Sequence, residues 1–338
     1  MTSVAPASTA ATSTALVADR FGGPEVLRLA VVPLREPGPR EVRVRVHAAG
    51  LNPADLLAIA GQPFFLRFTG LGLFHPRHPV PGSDVAGRVE AVGNEVSRVE
   101  VGDEVYGNLA DVGRGALAHH VVAPEDVWAL APAGIHPVAA AAVPMAGVTA
   151  LQGLRDHGGL KPGMRVLVIG ASGGVGGFAV QIAKAYGAHV TGVASTGNLE
   201  RVRSLGADEV VDYRSEDVAA LGRRYDLVFD TAAKLGVDAY RALLEPDGAF
   251  VTTGFLPALA MRRSKPGERR MVNMVSTPDA DDLASLTPLL EDGRIVADVG
   301  GRFPLNEAID ALHELAEGRA HGKLVVTMGP AAVRPVPA

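Results

Sequence analysis

Residues 170–184 read GASGGVGGFAVQIAK, and five of the first eight are glycine. A flexible linker could have that composition. These glycines, however, separate the apolar run RVLVI from a segment whose apolar residues recur at helical spacing. One chemistry needs that arrangement. The pyrophosphate of a dinucleotide is held by backbone N–H groups at a helix N-terminus, where side chains would block its approach. In the pattern A-x-G-x-x-G, Ala171 makes the tight turn and Gly173 admits the phosphates. Gly176 then lets the helix pack on the strand. A merely tight turn is the rival reading, and the strand before and helix after argue against it.

A second element belongs about twenty residues on, at the end of the next strand, where Asp or Glu would bind the ribose 2′-hydroxyl of NAD. Here HVTGVAST ends in Ser195 and Thr196 with no carboxylate, and Arg201 and Arg203 follow. This ending favours NADP(H). The alternative, that the arginines only decorate an exposed helix, stays open.

The elements that must position these groups alternate. After RVLVIG and its helix come strand HVTGVAS, helix NLERVRSLG, strand EVVDY, strand YDLVFDTA, a further helix and strand AFVTTG. Repeated β-α units predict a doubly wound parallel sheet. The first part of the chain differs. EVRVRVHAAG alternates Val42, Val44 and Val46 with Arg43, Arg45 and His47, the pattern of a half-buried strand. DVAGRVEAVG, GDEVYGNL and HHVVA add short strands with glycine turns, which predicts a small barrel or sandwich. HPVAAAAVPMAGVTALQGLRD reads as helix broken at Pro144, and PLNEAIDALHELAEGRAHGKLVVTM as an amphipathic helix followed by a strand.

Composition narrows the chemistry. With 338 residues the chain suits two domains, and 47% hydrophobic against 20% charged residues is globular usage. There is no cysteine, so disulfides, thiolate nucleophiles and cysteine-ligated zinc are excluded. None of the ten histidines forms an H-x-x-x-H pair. A net charge of −5 gives no global bias toward nucleic acid or anionic lipid. Residues 1–17 begin with small and polar side chains and carry no arginine before Arg20, so a disordered tail and a soluble, cytoplasmic protein are expected. The stretch MRRSKPGERR at 261–270 carries five cations; it would either steer an anionic substrate tail or form a solvated loop.

GLNPADLLAIAG, PGSDVAGRVEAVGNEVSRVEVGDEVYG, AAAVPMAGVTALQGL, VLVIGASGGVGGFAVQIAKAYGA, RSLGADEVVDY and GKLVV together resemble the medium-chain dehydrogenase/reductase superfamily, in its zinc-free quinone-oxidoreductase-like branch. The resemblance runs from about Ala18 to Met328. It implies an α/β fold: a GroES-like β-rich domain over 18–140 and 303–338, interrupted by a Rossmann domain over 141–302. Zinc ligands of related enzymes would fall at Asn52, Ser83 and near Met145, none of which rebuilds a zinc shell. No metal is therefore expected, and electrophilic acceptors such as quinones and α,β-unsaturated carbonyls are favoured.

By the same resemblance, nicotinamide and substrate would meet near Asn52, Asp55 and Thr149. Asn52 would hydrogen-bond substrate or ribose, or else sit in a plain turn; Thr149 would serve the site or cap its helix. The cofactor would touch Ala171, Ser172, Gly173, Gly174, Val175, Gly176, Ser195, Thr196, Asn198, Tyr213, Gly254, Phe255 and Lys323, with a solvated lysine the rival at the last. Phe64, Phe65 and Phe68, with Phe74, form an apolar loop expected to line or lid the substrate pocket. His75, His78, His119 and His120 are the histidines to place. The expected protein is a homodimeric NADP(H)-dependent oxidoreductase acting on a small molecule, with no nucleic-acid or membrane partner. Alternatives are a zinc-free carbonyl reductase or alcohol dehydrogenase, and a redox-silent NADPH-binding protein.

Overall fold

A computed structural model describes residues 11–65, 67–220, 222–254, 256 and 270–329. Phe255 and most of the cationic stretch at 261–270 lie outside the described residues. The strands run in chain order: β1 Thr12–Ala18, β2 Leu27–Pro33, β3 Glu41–Gly50, β4 Asp84–Val92, β5 Glu104–Asn108, β6 His120–Pro124 and β7 Trp128–Leu130. Then follow β8 Arg165–Ile169, β9 His189–Ala194, β10 Glu209–Asp212, β11 Tyr225–Asp230, β12 Leu244–Thr252, β13 Arg270–Asn273, β14 Val299–Pro304 and β15 Lys323–Thr327.

A seven-stranded sheet has the order β14-β15-β3-β4-β5-β7, with β6 also on β3. Its alternation is the expected one: Val42, Val44 and Val46 of β3 are buried, while Arg43, Arg45 and His47 reach the other face. The three valines join Trp128, Leu312 and Leu324 in one apolar core. The second sheet has six parallel strands in the order β10-β9-β8-β11-β12-β13. The chain starts at β8, winds outward to β10, then returns to the far side of β8 with β11. The strand ends of β8 and β11 therefore form the crevice where doubly wound sheets bind dinucleotides.

The two units share packing. Tyr106 on β5 donates to the Leu283 carbonyl at 2.9 Å in the helix Ala280–Glu291 and lies in one buried cluster with Val148, Val166 and Phe229. The β15 strand pairs with β3, so the chain returns to the first sheet at its end.

Two expected boundaries shift. Within the stretch 1–17 expected to be a tail, Thr12–Val17 belongs to a strand, because Thr12–Ala18 pairs antiparallel with β2 and the Leu16 N–H donates to the Leu117 carbonyl at 2.9 Å. Ala15, Leu16 and Val17 are buried there, so small side chains that resemble a solvated tail instead fill space between strands. The return to the first sheet starts at Val299 rather than 303, since β14 pairs with β15 at Val299 and, past an irregularity at Gly300, from Gly301 to Pro304.

Candidate active site

The glycine stretch lies where β8 ends and the helix Gly174–Ala185 begins. The first helical bond runs from the Gly177 N–H to the Gly173 carbonyl at 2.8 Å, so the N–H groups of Gly174, Val175 and Gly176 precede it. They carry the positive end of the helix dipole. The glycines differ in purpose. A Cβ on Gly176 would stand 2.1 Å from the Gly170 carbonyl oxygen, so this glycine serves the strand–helix crossing. A Cβ on Gly173 would meet nothing closer than 3.4 Å, and its φ of −80° suits any residue. Nothing in the protein demands glycine at 173; a ligand would.

Opposite this turn stands Lys323, which is 5% exposed, and its stem would lie 3.1 Å from a Cβ on Gly174. Its ammonium donates to the Leu51 carbonyl at 3.0 Å, the Asn52 Oδ1 at 2.6 Å and the Asp84 Oδ2 at 3.4 Å. The solvated-lysine alternative is therefore ruled out. Asp84 is fully buried and also accepts from the Asn52 amide at 2.9 Å, the Asn108 amide at 2.8 Å and the Met145 N–H at 2.9 Å. Burial pushes its pKa up, against Lys323 and Asn52, which favour the carboxylate.

Asp55 sits in the first turn of the helix Pro53–Ala60 and is fully buried. It accepts from the Asn52 N–H at 2.9 Å, the Ser83 hydroxyl at 2.7 Å and the Arg114 guanidinium at 3.3 Å. Asp55 thus anchors the helix start and holds its neighbours. Asn52, expected to reach substrate or ribose, spends one proton on Asp84 and one lone pair on Lys323.

Thr149 lies inside the helix Pro144–Gln152 and donates to the Ser276 hydroxyl at 2.8 Å, so it does not cap that helix. Beside it a cleft of about 190 Å³ is lined by Ala54, Asn108, Met145, Val148, Val275 and Ser276. Asn108 and Met145 belong both to this cleft and to the Asp84 network, so the cleft opens between the two units directly onto the site.

At the far end of the crevice, Ser195 accepts from the Asn198 amide at 3.0 Å, and Thr196 donates to Asp212 at 2.6 Å. That hydroxyl, first among several hydrogen bonds, holds the Asp212 carboxyl below its usual range. A carboxylate that strand β9 lacks is therefore supplied by β10, a pairing the linear reading missed. Arg201 is paired with Asp298 and Arg203 with Glu200, so neither is an open cation. The exposed Tyr213 and Arg214 flank this edge; the Arg214 N–H donates to Asp212 at 2.9 Å, and its charge helps to hold that carboxyl low. Gly254 packs against the loop after β11, where a Cβ would lie 2.4 Å from that of Ala233.

The aromatic loop departs from expectation. Phe64, Phe65 and Phe68 are 56%, 63% and 66% exposed and line neither the cleft nor the crevice. Arg67 packs against one end of this loop. Its guanidinium lies 4.2 Å from the Phe21 ring centroid and 5.3 Å from that of Phe64, and it donates to the carbonyls of Gly61 and Ala60. His75 is exposed. His120 is held between Ser13 at 3.1 Å and Glu90 at 3.3 Å, outside the Asn52 network; His119 bonds through its backbone to β1 and β3.

Comparison with known proteins agrees with this geometry. Residues 38–133 match the alcohol dehydrogenase GroES-like domain family, and residues 205–326 the zinc-binding dehydrogenase family. A chloroplast envelope quinone oxidoreductase homolog of Arabidopsis thaliana is 34% identical across 90% of this chain and 95% of its own. The chain belongs to the medium-chain dehydrogenase/reductase superfamily. It is an oxidoreductase of the quinone-oxidoreductase-like branch, with a GroES-like domain and a Rossmann domain. An NADPH-dependent alkenal/one oxidoreductase of the same plant is 37% identical over 90% of the chain and 77% of its own length. The solved quinone oxidoreductase of Coxiella burnetii superposes with a TM-score of 0.83 at 29% identity, covering 94% of this chain and all of that one.

The residues present do not fit zinc. Asn52 Oδ1 accepts from an ammonium, Ser83 Oγ accepts from a guanidinium at 2.7 Å, and Met145 contributes a backbone N–H to Asp84. Two fixed cations there oppose a third. Among the described residues no group of three His, Asp or Glu side chains could hold a metal ion.

Proposed function

We propose that this enzyme transfers hydride from NADPH to a quinone or an α,β-unsaturated carbonyl compound without a metal ion. The observation that carries the reading is the paired network Asn52–Asp84–Lys323 and Asp55–Ser83–Arg114, set between the glycine turn and the cleft. It presents hydrogen-bond donors and fixed cations where a Lewis acid would otherwise act. Such a site suits acceptors that need only hydrogen bonds to hold a developing enolate. The names of the plant relatives point to the same substrate class.

The residues divide the work. The N–H groups of Gly174, Val175 and Gly176 would hold the pyrophosphate, with Ala171 and Ser172 shaping the turn. Ser195, Asn198, Tyr213 and Arg214 would face the adenosine ribose, where the exposed Arg214 guanidinium would offer charge to a 2′-phosphate against the neighbouring Asp212 carboxylate. Bound NADPH supplies the hydride. Lys323, fixed by three acceptors, forms a rigid wall between cofactor and acceptor; Thr149 and Ser276 border the cleft in which the acceptor would lie.

The test is reduction of a panel of quinones, enones and simple ketones with 4-deuterated NADPH, before and after prolonged chelation. Deuterium on the carbon β to the carbonyl, at an unchanged rate after chelation, is expected. Deuterium on the carbonyl carbon would assign carbonyl reduction instead, and activity that zinc restores after chelation would end the metal-free reading.

A further inference from the structure

Two cations reach the site, and they differ in what they can still bind. The three protons of Lys323 are all engaged by Leu51, Asn52 and Asp84. Arg114 engages only one guanidinium nitrogen, which donates to Ser83 Oγ at 2.7 Å and Asp55 Oδ1 at 3.3 Å. A guanidinium carries five N–H donors, and the other three have no partner among the described residues.

The backbone of Arg114 shows that this placement is imposed. Its φ is +63°, in the left-handed region, between Gly113 at +111° and Gly115 at +112°. A non-glycine residue persists there only when its surroundings determine it. They do: the Arg114 N–H donates to the Leu109 carbonyl, Leu109 to Ser83, and Ala116 to Gly82. Arg114 also lines a narrow cavity of about 30 Å³ with Ala58, Ile59, Leu71, Pro76 and His78. That space has room for a group of about water size, not for a whole substrate. Desolvation, with the nearby charges of Arg77 and Arg114, holds His78 below its ordinary range.

We propose that Arg114 binds the carbonyl oxygen of the acceptor and stabilises the negative charge that hydride transfer places on it. The proposal rests on the quinone or enone reading above. In the enone case a C–H bond forms at the β-carbon, the C=C pair moves to the Cα–C bond and the C=O pair moves to oxygen. The reduced dinucleotide is oxidised by two electrons, which leave with its hydride, and water supplies the proton that completes the product. Arg114 changes neither proton nor electron count; it supplies fixed positive charge at the oxygen.

The variant that isolates this role is Arg114→Gly, because glycine accepts the left-handed backbone. Its kcat for a soluble enone is expected to fall by roughly 10²–10³-fold, the effect of losing one oxyanion donor. NADPH affinity should stay unchanged. Guanidinium ion at non-denaturing concentration should restore part of the loss, while tetramethylammonium should not. Arg114→Lys should retain an intermediate rate. Wild-type kcat in Arg114→Gly, or a loss that guanidinium does not restore, overturns the proposal. A wild-type enzyme that turns over no quinone or enone removes the underlying reading, and the proposal with it.

Discussion

The two inner glycines of the turn can be separated by experiment, because the structure gives them different reasons to exist. At Gly176 a Cβ would lie 2.1 Å from the Gly170 oxygen, 2.8 Å from its carbonyl carbon and 2.9 Å from the Ala171 Cα. All three atoms are backbone, so the strand–helix crossing itself would have to open. Overpacking of that kind costs about 1–3 kcal/mol. At about 2–4 °C per kcal/mol for a sizeable domain, Gly176→Ala should melt several degrees lower. At Gly173 the nearest atom would be 3.4 Å away, and φ and ψ of −80° and 172° need no glycine. Losing a good N-cap residue and lowering the entropy of the unfolded chain oppose each other at about 1 kcal/mol each, so Gly173→Val should melt like wild type. Its side chain would fill the space over the open N–H groups. Losing two hydrogen bonds to a charged acceptor, about 1.5–3 kcal/mol each, predicts NADPH binding weaker by roughly 10²–10⁴-fold. Thermal melts and calorimetric titration of both variants provide the assay. A Gly173→Val protein that binds NADPH like wild type would refute the reasoning, as would a Gly176→Ala protein with an unshifted melt.

Ser195→Asp would set like charge within about 4 Å of a 2′-phosphate, worth about 1–4 kcal/mol. NADPH should bind roughly 5- to 10³-fold more weakly and NADH equally or better, by titration of both cofactors. Lys323→Met leaves the buried Asp84 without its cation, a loss of about 3–5 kcal/mol that should appear as a lowered denaturation midpoint. Adding Asp84→Asn in that background should recover part of it, and a midpoint equal to wild type in Lys323→Met alone would contradict the pairing. His119 and His120 are both held below the ordinary histidine value, chiefly by burial. At pH 8 they are neutral folded and unfolded and contribute nothing. As pH falls through about 6.5 the unfolded chain takes up protons that the folded chain refuses, so stability should decline from pH 7 to pH 5. Replacing both with Asn should flatten that part of the curve.

What could be read from the residues alone is what depends on near neighbours. The glycine turn announces itself because its strand, turn and helix are contiguous, and each has a local period. Asn52 and Asp55 stand three apart at a helix start, so their pairing through the Asn52 N–H is likewise local. The β-rich and βα-alternating halves differ in period, which is why the fold class was legible.

The structure decided everything that needed distant partners. Asp84 became the centre of the site only when Asn52, Asn108 and Lys323 converged on it from 32, 24 and 239 positions away. Arg114 reaches Asp55 across 59 residues, and Arg201 is drawn to Asp298 across 97, so one arginine joined the site and another left the phosphate edge. Asp212 entered that edge because parallel pairing sets it beside Ala194. The same holds for Thr12–Ala18, whose small residues acquire a strand only when β2 and Ala118 cover them. Local propensity is a property of a segment; charge pairing and burial belong to the contacts a segment makes. Which charges meet is set by sheet register and chain return, and those exist only in the folded molecule.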